Sequence, residues 1–172
     1  LPDGVLNILT GNVGPALVSH PDIRMVSLTG ATETGKMIMR GAADSLKRVH
    51  LELGGKAPAI VFEDADLEVA AAKIALGGFM NTGQDCTAAT RILVHQSIAA
   101  QATEAIVAAV RALKIGLPFD EDTQIGSLIS ARQLETVAGF VDRACSQGAR
   151  LLTGGKRAEG FSGHYYEPTV LC

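Results

Sequence analysis

One stretch of the sequence, Arg24–Gly55, reads RMVSLTGATETGKMIMRGAADSLKRVHLELGG. An aliphatic and β-branched run comes first, followed by a glycine-containing segment, an amphipathic run and a second aliphatic run that ends at two glycines. Because this order corresponds to strand, turn, helix and strand, it predicts a βαβ unit with parallel strands. The helix is expected from about Lys36 to Ala43 and the second strand over Arg48–Leu53.

The remainder of the chain continues the alternation. Asp66 is a favourable N-cap for a helix that begins at Leu67, and further helices are expected over Ser97–Leu113 and Ser130–Gln147. The sequence therefore predicts an α/β fold with a largely parallel sheet. A change of composition near Lys56 predicts a domain border. Short strands are also expected at Ala59–Phe62, Ile92–Val94, Leu151–Thr153 and Thr169–Leu171.

The composition excludes several classes of protein. The 172 residues are 47% hydrophobic and 19% charged, which argues against a disordered tail, and the net charge of −3 gives no electrostatic footprint for nucleic acid. No apolar run reaches the roughly 18 residues of a membrane helix, and no signal peptide is recognisable. Three cysteines cannot all pair within one chain, which argues against a secreted disulfide scaffold. Together these observations predict a cytoplasmic protein without membrane or nucleic-acid partners. The four histidines show no metal-ligand spacing, and none is expected to act as a ligand or catalytic group.

The glycine segment Gly30–Lys36 has the G-x-x-x-x-G-K spacing that cradles phosphate at the start of a helix. Met37 stands where a nucleoside triphosphatase needs Ser or Thr to bind magnesium, and a thioether cannot replace that hydroxyl. Two interpretations remain. The segment either joins strand to helix without any ligand, or binds the phosphate of another cofactor, and we favour the second.

Cys86 lies in the segment Asn81–Ala89, whose residues are small, polar and turn-forming. These neighbours favour an accessible thiol over the buried, inert cysteine that is the common case. A free thiol has a pKa of about 8.5 and needs help to react as a thiolate. The adjacent Asp85 would oppose ionisation if its charge faced the sulfur. Cys145 lies in an amphipathic stretch and is expected to pack.

Glu52 lies at the end of an aliphatic strand, immediately before Leu53 and two glycines. Carboxylates at the carboxyl ends of parallel strands often face the crevice in which ligands bind. The alternative is a carboxylate at a strand edge that is simply exposed to solvent. The spacing alone does not separate the two interpretations.

Two motifs, Leu51–Pro58 and Asn81–Ala88, resemble the signatures of the NAD(P)-dependent aldehyde dehydrogenase superfamily. The segment Ser27–Gly35 resembles the cofactor-phosphate turn of that family, and nearly the whole chain can be matched. Within the superfamily, Met25–Gly30 and Gly83–Ala89 are most similar to the aminobutyraldehyde dehydrogenase branch. The chain is interpreted as a central fragment of a longer protein.

The resemblance implies an oxidation of an aldehyde to a carboxylic acid with NAD, or NADP, as acceptor. Cys86 corresponds to the nucleophile, which forms a thiohemiacetal and then an acyl-thioester. Glu52 corresponds to the general base that activates water. The implied cofactor-binding residues are Gly30, Ala31, Thr32, Glu33 and Gly35 at the pyrophosphate, and Leu53 and Gly54 beside the nicotinamide.

The resemblance also implies a division of the chain into two parts. Residues 1–56 correspond to the C-terminal part of a Rossmann-like NAD-binding domain, and residues 57–172 to the N-terminal part of an α/β catalytic domain. The branch implies an ω-aminoaldehyde such as 4-aminobutyraldehyde as substrate and a homo-oligomeric parent enzyme, dimer or tetramer. We expect the fragment alone to be inactive. The alternative is a truncated, non-catalytic module that binds a nucleotide or a partner.

Overall fold

The computed structural model describes every residue from Leu1 to Cys172 and divides the chain into two compact units, Leu1–Gly54 and Gly55–Cys172. The longest helix has 16 residues, and none of the helices has the length and apolar character needed to span a bilayer.

The first unit is built around a βαβ motif. Its elements are α1 (Gly14–Ser19), β1 (Met25–Gly30), α2 (Thr32–Ala43) and β2 (Arg48–Leu53). β1 and β2 pair in parallel along their whole length, and the register places Gly30 opposite Leu53. The predicted parallel βαβ unit and the bounds of its second strand are therefore confirmed.

The two faces of this small sheet differ in character. Along both strands half-buried and exposed positions alternate, as expected when every second side chain points to the same face. The half-buried face packs against α2, whose buried residues are Gly35, Ile38 and Ala42. The other face is exposed and carries polar side chains near its carboxyl end. The face packed against α2 carries Val26, Leu28, Val49, Leu51 and Leu53, and the exposed face carries Met25, Ser27, Thr29, Arg48, His50 and Glu52.

Helix α2 begins at Thr32, so the predicted start at Lys36 is wrong. Ala31 is extended and serves as the N-cap, and the N–H of Gly35 already donates to the Ala31 carbonyl, at 3.0 Å. A glycine inside a helix costs about 1 kcal/mol relative to alanine. Here a Cβ at Gly35 would lie 3.0 Å from a methyl group of Leu53, so a larger residue would fit only if Leu53 moved by a few tenths of an ångström. The glycine lets the helix lie close to β2.

The second unit contains two pairs of strands and three longer helices. β3 (Ala57–Val61) and β4 (Ala89–Val94) pair in parallel, whereas β5 (Leu151–Thr153) and β6 (Val170–Leu171) pair antiparallel. Two of the three strand pairs are therefore parallel, as the prediction of largely parallel strands requires, and only the last pair differs. Parallel pairing needs a crossover, usually a helix. The connection between β5 and β6 contains no helix, and after it the chain runs back alongside β5 in the opposite direction. The helices are α3 (Leu67–Phe79), α4 (Ala99–Arg111) and α5 (Ala131–Ser146), with a short 3₁₀ turn at Gln96–Ile98 and a turn that contains left-handed residues at Met80–Gly83.

Side-chain caps determine where two of these helices begin. Asp66 Oδ1 accepts hydrogen bonds from the N–H groups of Glu68 and Val69, both at 3.1 Å. Ser130 Oγ accepts from the N–H of Gln133 at 3.2 Å. Because each cap satisfies N–H groups that the helix cannot, both helix starts follow the sequence prediction.

The core of the second unit consists of two apolar clusters. The larger one joins β3 to α3 and α4, and the smaller one lies against α5. The larger cluster contains Val61, Ala71, Ile74, Ala75, Ile106 and Val110, and the smaller one Leu128, Leu134, Val141 and Tyr166.

Candidate active site

In the first unit, the carboxyl end of the β1–β2 pair brings several predicted site residues together. Glu52 lies one residue before the end of β2, directly opposite Thr29 on β1. The next pair in the register is Gly30 and Leu53, and α2 begins immediately beyond β1. In open α/β sheets, ligands bind outside the carboxyl ends of the strands. Glu52 is exposed at this end, with 60% of its side chain accessible.

His50 lies beside Glu52, although the sequence analysis expected no histidine at a site. Its Nε2 is 3.5 Å from Glu52 Oε1, and its Nδ1 is 3.0 Å from the hydroxyl of Ser27 on the neighbouring strand. Residues two apart on a strand share a face, so the spacing of His50 and Glu52 was a signal in the sequence. Even with a protonated imidazole, an exposed contact of this kind would stabilise a fold by only about 0 to 1 kcal/mol. Its contribution to folding is therefore minor.

The start of α2 has the properties of an anion-binding site. No side chain caps Ala31, so the first N–H groups of the helix are left without a side-chain acceptor. These N–H groups and the positive end of the helix dipole favour a phosphate. Glu33 lies in this first turn, where its charge would repel an anion, but Lys36 Nζ binds its carboxylate at 2.7 Å. The residues therefore fit a cofactor phosphate held by backbone groups rather than by side chains.

Three other predicted cofactor residues differ in the groups that they can present to a ligand. Gly35 is buried, and its N–H is already used within the helix. The Leu53 side chain packs toward Gly35, so only the Leu53 backbone can face a ligand. A Cβ at Gly54 would meet no atom of the chain within 4 Å. The roles of these three residues in cofactor binding stay predictions.

In the second unit, the loop before Cys86 has an unusual backbone. Asn81, Thr82 and Gly83 have φ values of 51°, 60° and 72°, all in the left-handed region. For a β-branched residue such as Thr82 this conformation costs about 1 to 3 kcal/mol and persists only where the surrounding structure holds it. Strain of this kind is concentrated at functional sites.

Side-chain hydrogen bonds hold this loop on both sides of Gly83. Thr82 Oγ1 accepts from the N–H of Gly126 at 3.2 Å, and Gln84 Oε1 accepts from the N–H of Ile129 at 2.9 Å. Asn81 and Gln84 also bind each other: the amide of each donates to the carbonyl of the other, at 3.0 and 3.2 Å. Contacts to residues far along the chain therefore fix the segment that leads to the thiol.

Cys86 itself is exposed, as the sequence analysis predicted. The hydrogen bonds of the loop use the N–H groups of its neighbours Gln84, Thr87 and Ala88 but not that of Cys86. That N–H is free to stabilise an oxyanion that develops next to the sulfur. The backbone of Gly55 lies close to this loop, since a Cβ there would be 3.2 Å from the Cys86 carbonyl oxygen. Gly55 was not among the predicted site residues, although the double glycine was a signal for a close backbone approach.

Asp85 is bound to Thr87. One oxygen of its carboxylate accepts hydrogen bonds from the Thr87 hydroxyl at 2.5 Å and from the Thr87 N–H at 2.6 Å. The hydroxyl, and secondarily the N–H, hold the pKa of Asp85 below its ordinary value of 3.8. Asp85 therefore remains charged through the neutral range, and the two hydrogen bonds from Thr87 stabilise that charge.

We expect Thr87→Val to raise the pKa of Asp85 toward 3.8, because valine removes the hydroxyl and keeps the backbone N–H. A carboxyl whose pKa is lowered by folding stabilises the folded state. That stabilisation is complete at pH values above the ordinary pKa and is lost as the pH falls through the lowered pKa. A carboxyl-carbon NMR titration of Asp85 measures the change. Thr136→Val is the control, since the Thr136 hydroxyl binds the Arg132 carbonyl instead. An Asp85 titration that is the same in wild type and Thr87→Val would contradict the role given to the hydroxyl.

The prediction that Cys145 packs is wrong, because Cys145 and Cys172 are both exposed free thiols like Cys86. Cys145 lies in the last turn of α5, beyond the buried residues Leu134 and Val141. Access alone therefore does not distinguish Cys86 from the other thiols. Any faster reaction of Cys86 must come from the chemistry of its loop.

Comparison with known proteins identifies the class to which these units belong. The family model described as "Aldehyde dehydrogenase family" matches residues 1–172, which is the whole chain. The chain therefore belongs to the aldehyde dehydrogenase family.

Several curated relatives are betaine aldehyde dehydrogenases. The chloroplastic enzyme of Amaranthus hypochondriacus is 46% identical over 175 residues, which is 99% of this chain and 35% of the relative. The Brucella ovis enzyme is 47% identical over 177 residues, which is 100% of this chain and 36% of the relative. The chain thus spans about a third of the length of these relatives. The aminobutyraldehyde branch is not confirmed.

Solved structures agree in fold. The HpcC protein of Thermus thermophilus superimposes with a TM-score of 0.87 at 45% identity, over 92% of this chain and 32% of that one. Betaine aldehyde dehydrogenase from Staphylococcus aureus, solved in complex with NAD+, gives a TM-score of 0.87 at 40% identity, again over 92% and 32%. The predicted α/β, incomplete aldehyde dehydrogenase fold is confirmed.

Proposed function

We propose that the full-length protein containing this chain is an NAD-dependent aldehyde dehydrogenase that works through a thioester on Cys86. The observation that carries the proposal is the match of the whole chain to the family, together with an exposed Cys86 on a loop fixed by distant hydrogen bonds. The NAD+ complex of the Staphylococcus aureus relative supports the choice of cofactor. NADP is the alternative acceptor.

Cys86 begins the reaction. Its thiolate attacks the carbonyl carbon of the aldehyde, and the carbonyl oxygen becomes an oxyanion. The free N–H of Cys86 donates to that oxygen. Bound NAD supplies the acceptor for the hydride that leaves the same carbon, so that the aldehyde is oxidised and an acyl-thioester remains on Cys86.

Glu52 completes the reaction by acting on water. Its carboxylate takes a proton from a water molecule, and the resulting hydroxide attacks the thioester carbon. The carbon–sulfur bond breaks, which releases the carboxylic acid and regenerates Cys86. The first N–H groups of α2 would hold the cofactor phosphate, with Gly30, Ala31, Thr32 and Glu33 contributing backbone rather than side-chain contacts.

The predicted domain assignment is part of the proposal. Residues 1–56 would form the C-terminal part of the NAD-binding domain, and residues 57–172 the N-terminal part of the catalytic domain. The division of the chain into compact units between Gly54 and Gly55 supports this assignment. A homo-oligomeric parent enzyme, dimer or tetramer, is proposed on the family resemblance alone, and a cytoplasmic location on the cysteine count alone.

For the substrate, we propose an aldehyde that carries a cationic nitrogen. The named relatives are betaine aldehyde dehydrogenases, and betaine aldehyde has a quaternary ammonium group. The ω-aminoaldehyde suggested by the sequence motifs, such as 4-aminobutyraldehyde, is also a cation at neutral pH. Asp85 is a charged group next to the proposed nucleophile and could attract either nitrogen.

This proposal is tested with the full-length protein and three aldehydes: betaine aldehyde, 4-aminobutyraldehyde and neutral butyraldehyde. We expect kcat/KM for at least one cationic aldehyde to exceed that for the neutral one by about tenfold or more, equivalent to about 1.4 kcal/mol. The readout is NADH formation, with the purified 172-residue chain expected to be inactive.

The outcomes separate the parts of the proposal. Equal kcat/KM for all three aldehydes would contradict the substrate class and leave the oxidation intact. An unchanged preference in Asp85→Ala would exclude Asp85 from substrate recognition. No aldehyde-dependent NADH from the full-length protein would contradict the proposed function itself.

A further inference from the structure

The exposed face of the β1–β2 sheet carries a short chain of polar contacts that ends at the proposed base. Ser27 on β1 lies opposite His50 on β2, and their Oγ and Nδ1 atoms are 3.0 Å apart. The other ring nitrogen, Nε2, lies 3.5 Å from Glu52 Oε1. That distance is longer than the roughly 2.9 Å typical of a hydrogen bond, so the two groups are in contact without a hydrogen bond between them.

The contact with Ser27 bears on which ring nitrogen carries the proton. If the Ser27 hydroxyl donates to Nδ1, the neutral imidazole carries its proton on Nε2, the nitrogen that faces Glu52. The Nε2–H group is then the donor that lies nearest to one oxygen of the carboxylate, at an Nε2–Oε1 distance of 3.5 Å. The second oxygen, Oε2, stays free to accept a proton from water.

Few other groups on this face compete for Glu52. The charged and titratable side chains that share it are Arg48, His50 and Glu52, and the neutral neighbours on β1 are Ser27 and Thr29. Helix α2 packs against the opposite face. The structure gives no other ion-pair partner for Glu52.

We propose that His50 is a positioning residue for the Glu52 carboxylate, with Ser27 holding the imidazole in the required tautomer. The inference rests on the proposed function, since it assigns a role in the hydrolysis of the acyl-thioester. Because Glu52 acts only after the hydride has left, loss of His50 should slow hydrolysis and leave the earlier step unchanged.

The chain offers a matched control in its second unit. His95 Nδ1 lies 2.8 Å from the Ser97 hydroxyl and 3.4 Å from Glu63 Oε2, so this histidine also contacts a serine and a glutamate at a similar exposure, although through a single ring nitrogen. Neither His95 nor Glu63 belongs to the proposed site. Replacing His95 removes a histidine from an equivalent setting without touching Glu52.

The kinetic test compares His50→Ala, His50→Gln, Ser27→Ala and His95→Ala in the full-length protein by stopped-flow NADH absorbance. For His50→Ala we expect an unchanged burst of one NADH per active site and a steady-state rate that falls by about tenfold to a hundredfold. His50→Gln keeps an N–H donor and should recover most of the rate. Ser27→Ala should lie between the two, and His95→Ala should match wild type.

Three kinetic results would overturn the proposal. They are an unchanged steady-state rate in His50→Ala, a burst that falls together with the steady state, and a His50→Gln enzyme as slow as His50→Ala. The second result would indicate a structural defect, because a defect in positioning the base affects hydrolysis alone.

A second measurement does not depend on aldehyde chemistry. In the purified 172-residue chain, nitrogen-15 NMR of the His50 ring should show the proton on Nε2, and Ser27→Ala should weaken this preference. A proton on Nδ1 would overturn the proposal even in an active enzyme. If the ring proton lies on Nε2 but the full-length protein forms no NADH, the proposed function is contradicted and the arrangement of Ser27, His50 and Glu52 is not.

Discussion

Replacing Cys86 with serine in the full-length protein is expected to lower aldehyde-dependent NADH formation by at least about 10³-fold. Serine keeps the size of the side chain, but its hydroxyl is far less ionised than a thiol at neutral pH and makes a poorer nucleophile. The exposed position of Cys86 means that the change removes no core packing. The loss should therefore be in catalysis and not in folding, which circular dichroism of the same sample checks.

The control for this substitution is Cys145→Ser. Cys145 is exposed like Cys86 but lies at the end of α5, without the fixed left-handed loop that precedes Cys86. Its replacement should leave NADH formation unchanged. Wild-type activity in Cys86→Ser, or an equal loss in Cys145→Ser, would contradict the role given to Cys86.

Replacing Glu52 with glutamine is expected to leave a burst of one NADH per site and to lower the steady-state rate by about 10² to 10⁴-fold. The amide keeps the shape of the carboxylate but cannot take a proton from water, so the acyl-thioester should accumulate. Because Glu52 is exposed at the strand end, the substitution should cost little stability.

Glu63→Gln is the matched control for Glu52. Glu63 is also exposed and also lies beside a histidine, His95, but it belongs to no proposed site. Its rate should equal that of wild type. A Glu52→Gln enzyme that loses the burst as well as the steady state would indicate that Glu52 acts before hydrolysis.

Much of the fold could be predicted because local signals and tertiary structure agree. Asp66 and Ser130 are good caps by residue type, and both make the expected hydrogen bonds. The βαβ unit follows from two aliphatic runs around one amphipathic run. The start of α2 was missed because Thr32–Gly35 has the composition of a turn, and only the close packing of Gly35 on Leu53 explains a glycine inside the helix.

The candidate site was only partly visible in the sequence. Glu52 and Cys86 stand in recognisable motifs, so they could be named before the fold was known. The left-handed backbone at Asn81 and Thr82 could not be predicted from the sequence. The loop is held by hydrogen bonds from the N–H groups of Gly126 and Ile129, which lie far away in the sequence. Those partners become apparent only when the loop is folded.

The prediction that Cys145 packs failed for a different reason, and the contacts of His50 were missed for the same one. Both residues were judged by residue type and local pattern. His50 contacts Ser27 on the neighbouring strand, and this contact exists only because the register of β1 and β2 places the two residues opposite each other. Cys145 has a helical position compatible with burial, but the buried residues of α5 end at Val141.

A covalent acyl group on Cys86 is the central requirement of the proposed chemistry. Mass spectrometry of tryptic peptides tests this in Glu52→Gln after mixing with NAD and an aldehyde, since Cys86 lies on the peptide Ile74–Arg91 and Cys145 on the separate peptide Ala144–Arg150. We expect the mass of one acyl group on Ile74–Arg91 and none on Ala144–Arg150. Turnover without any adduct on Ile74–Arg91, or an adduct on another cysteine, would contradict the proposed chemistry.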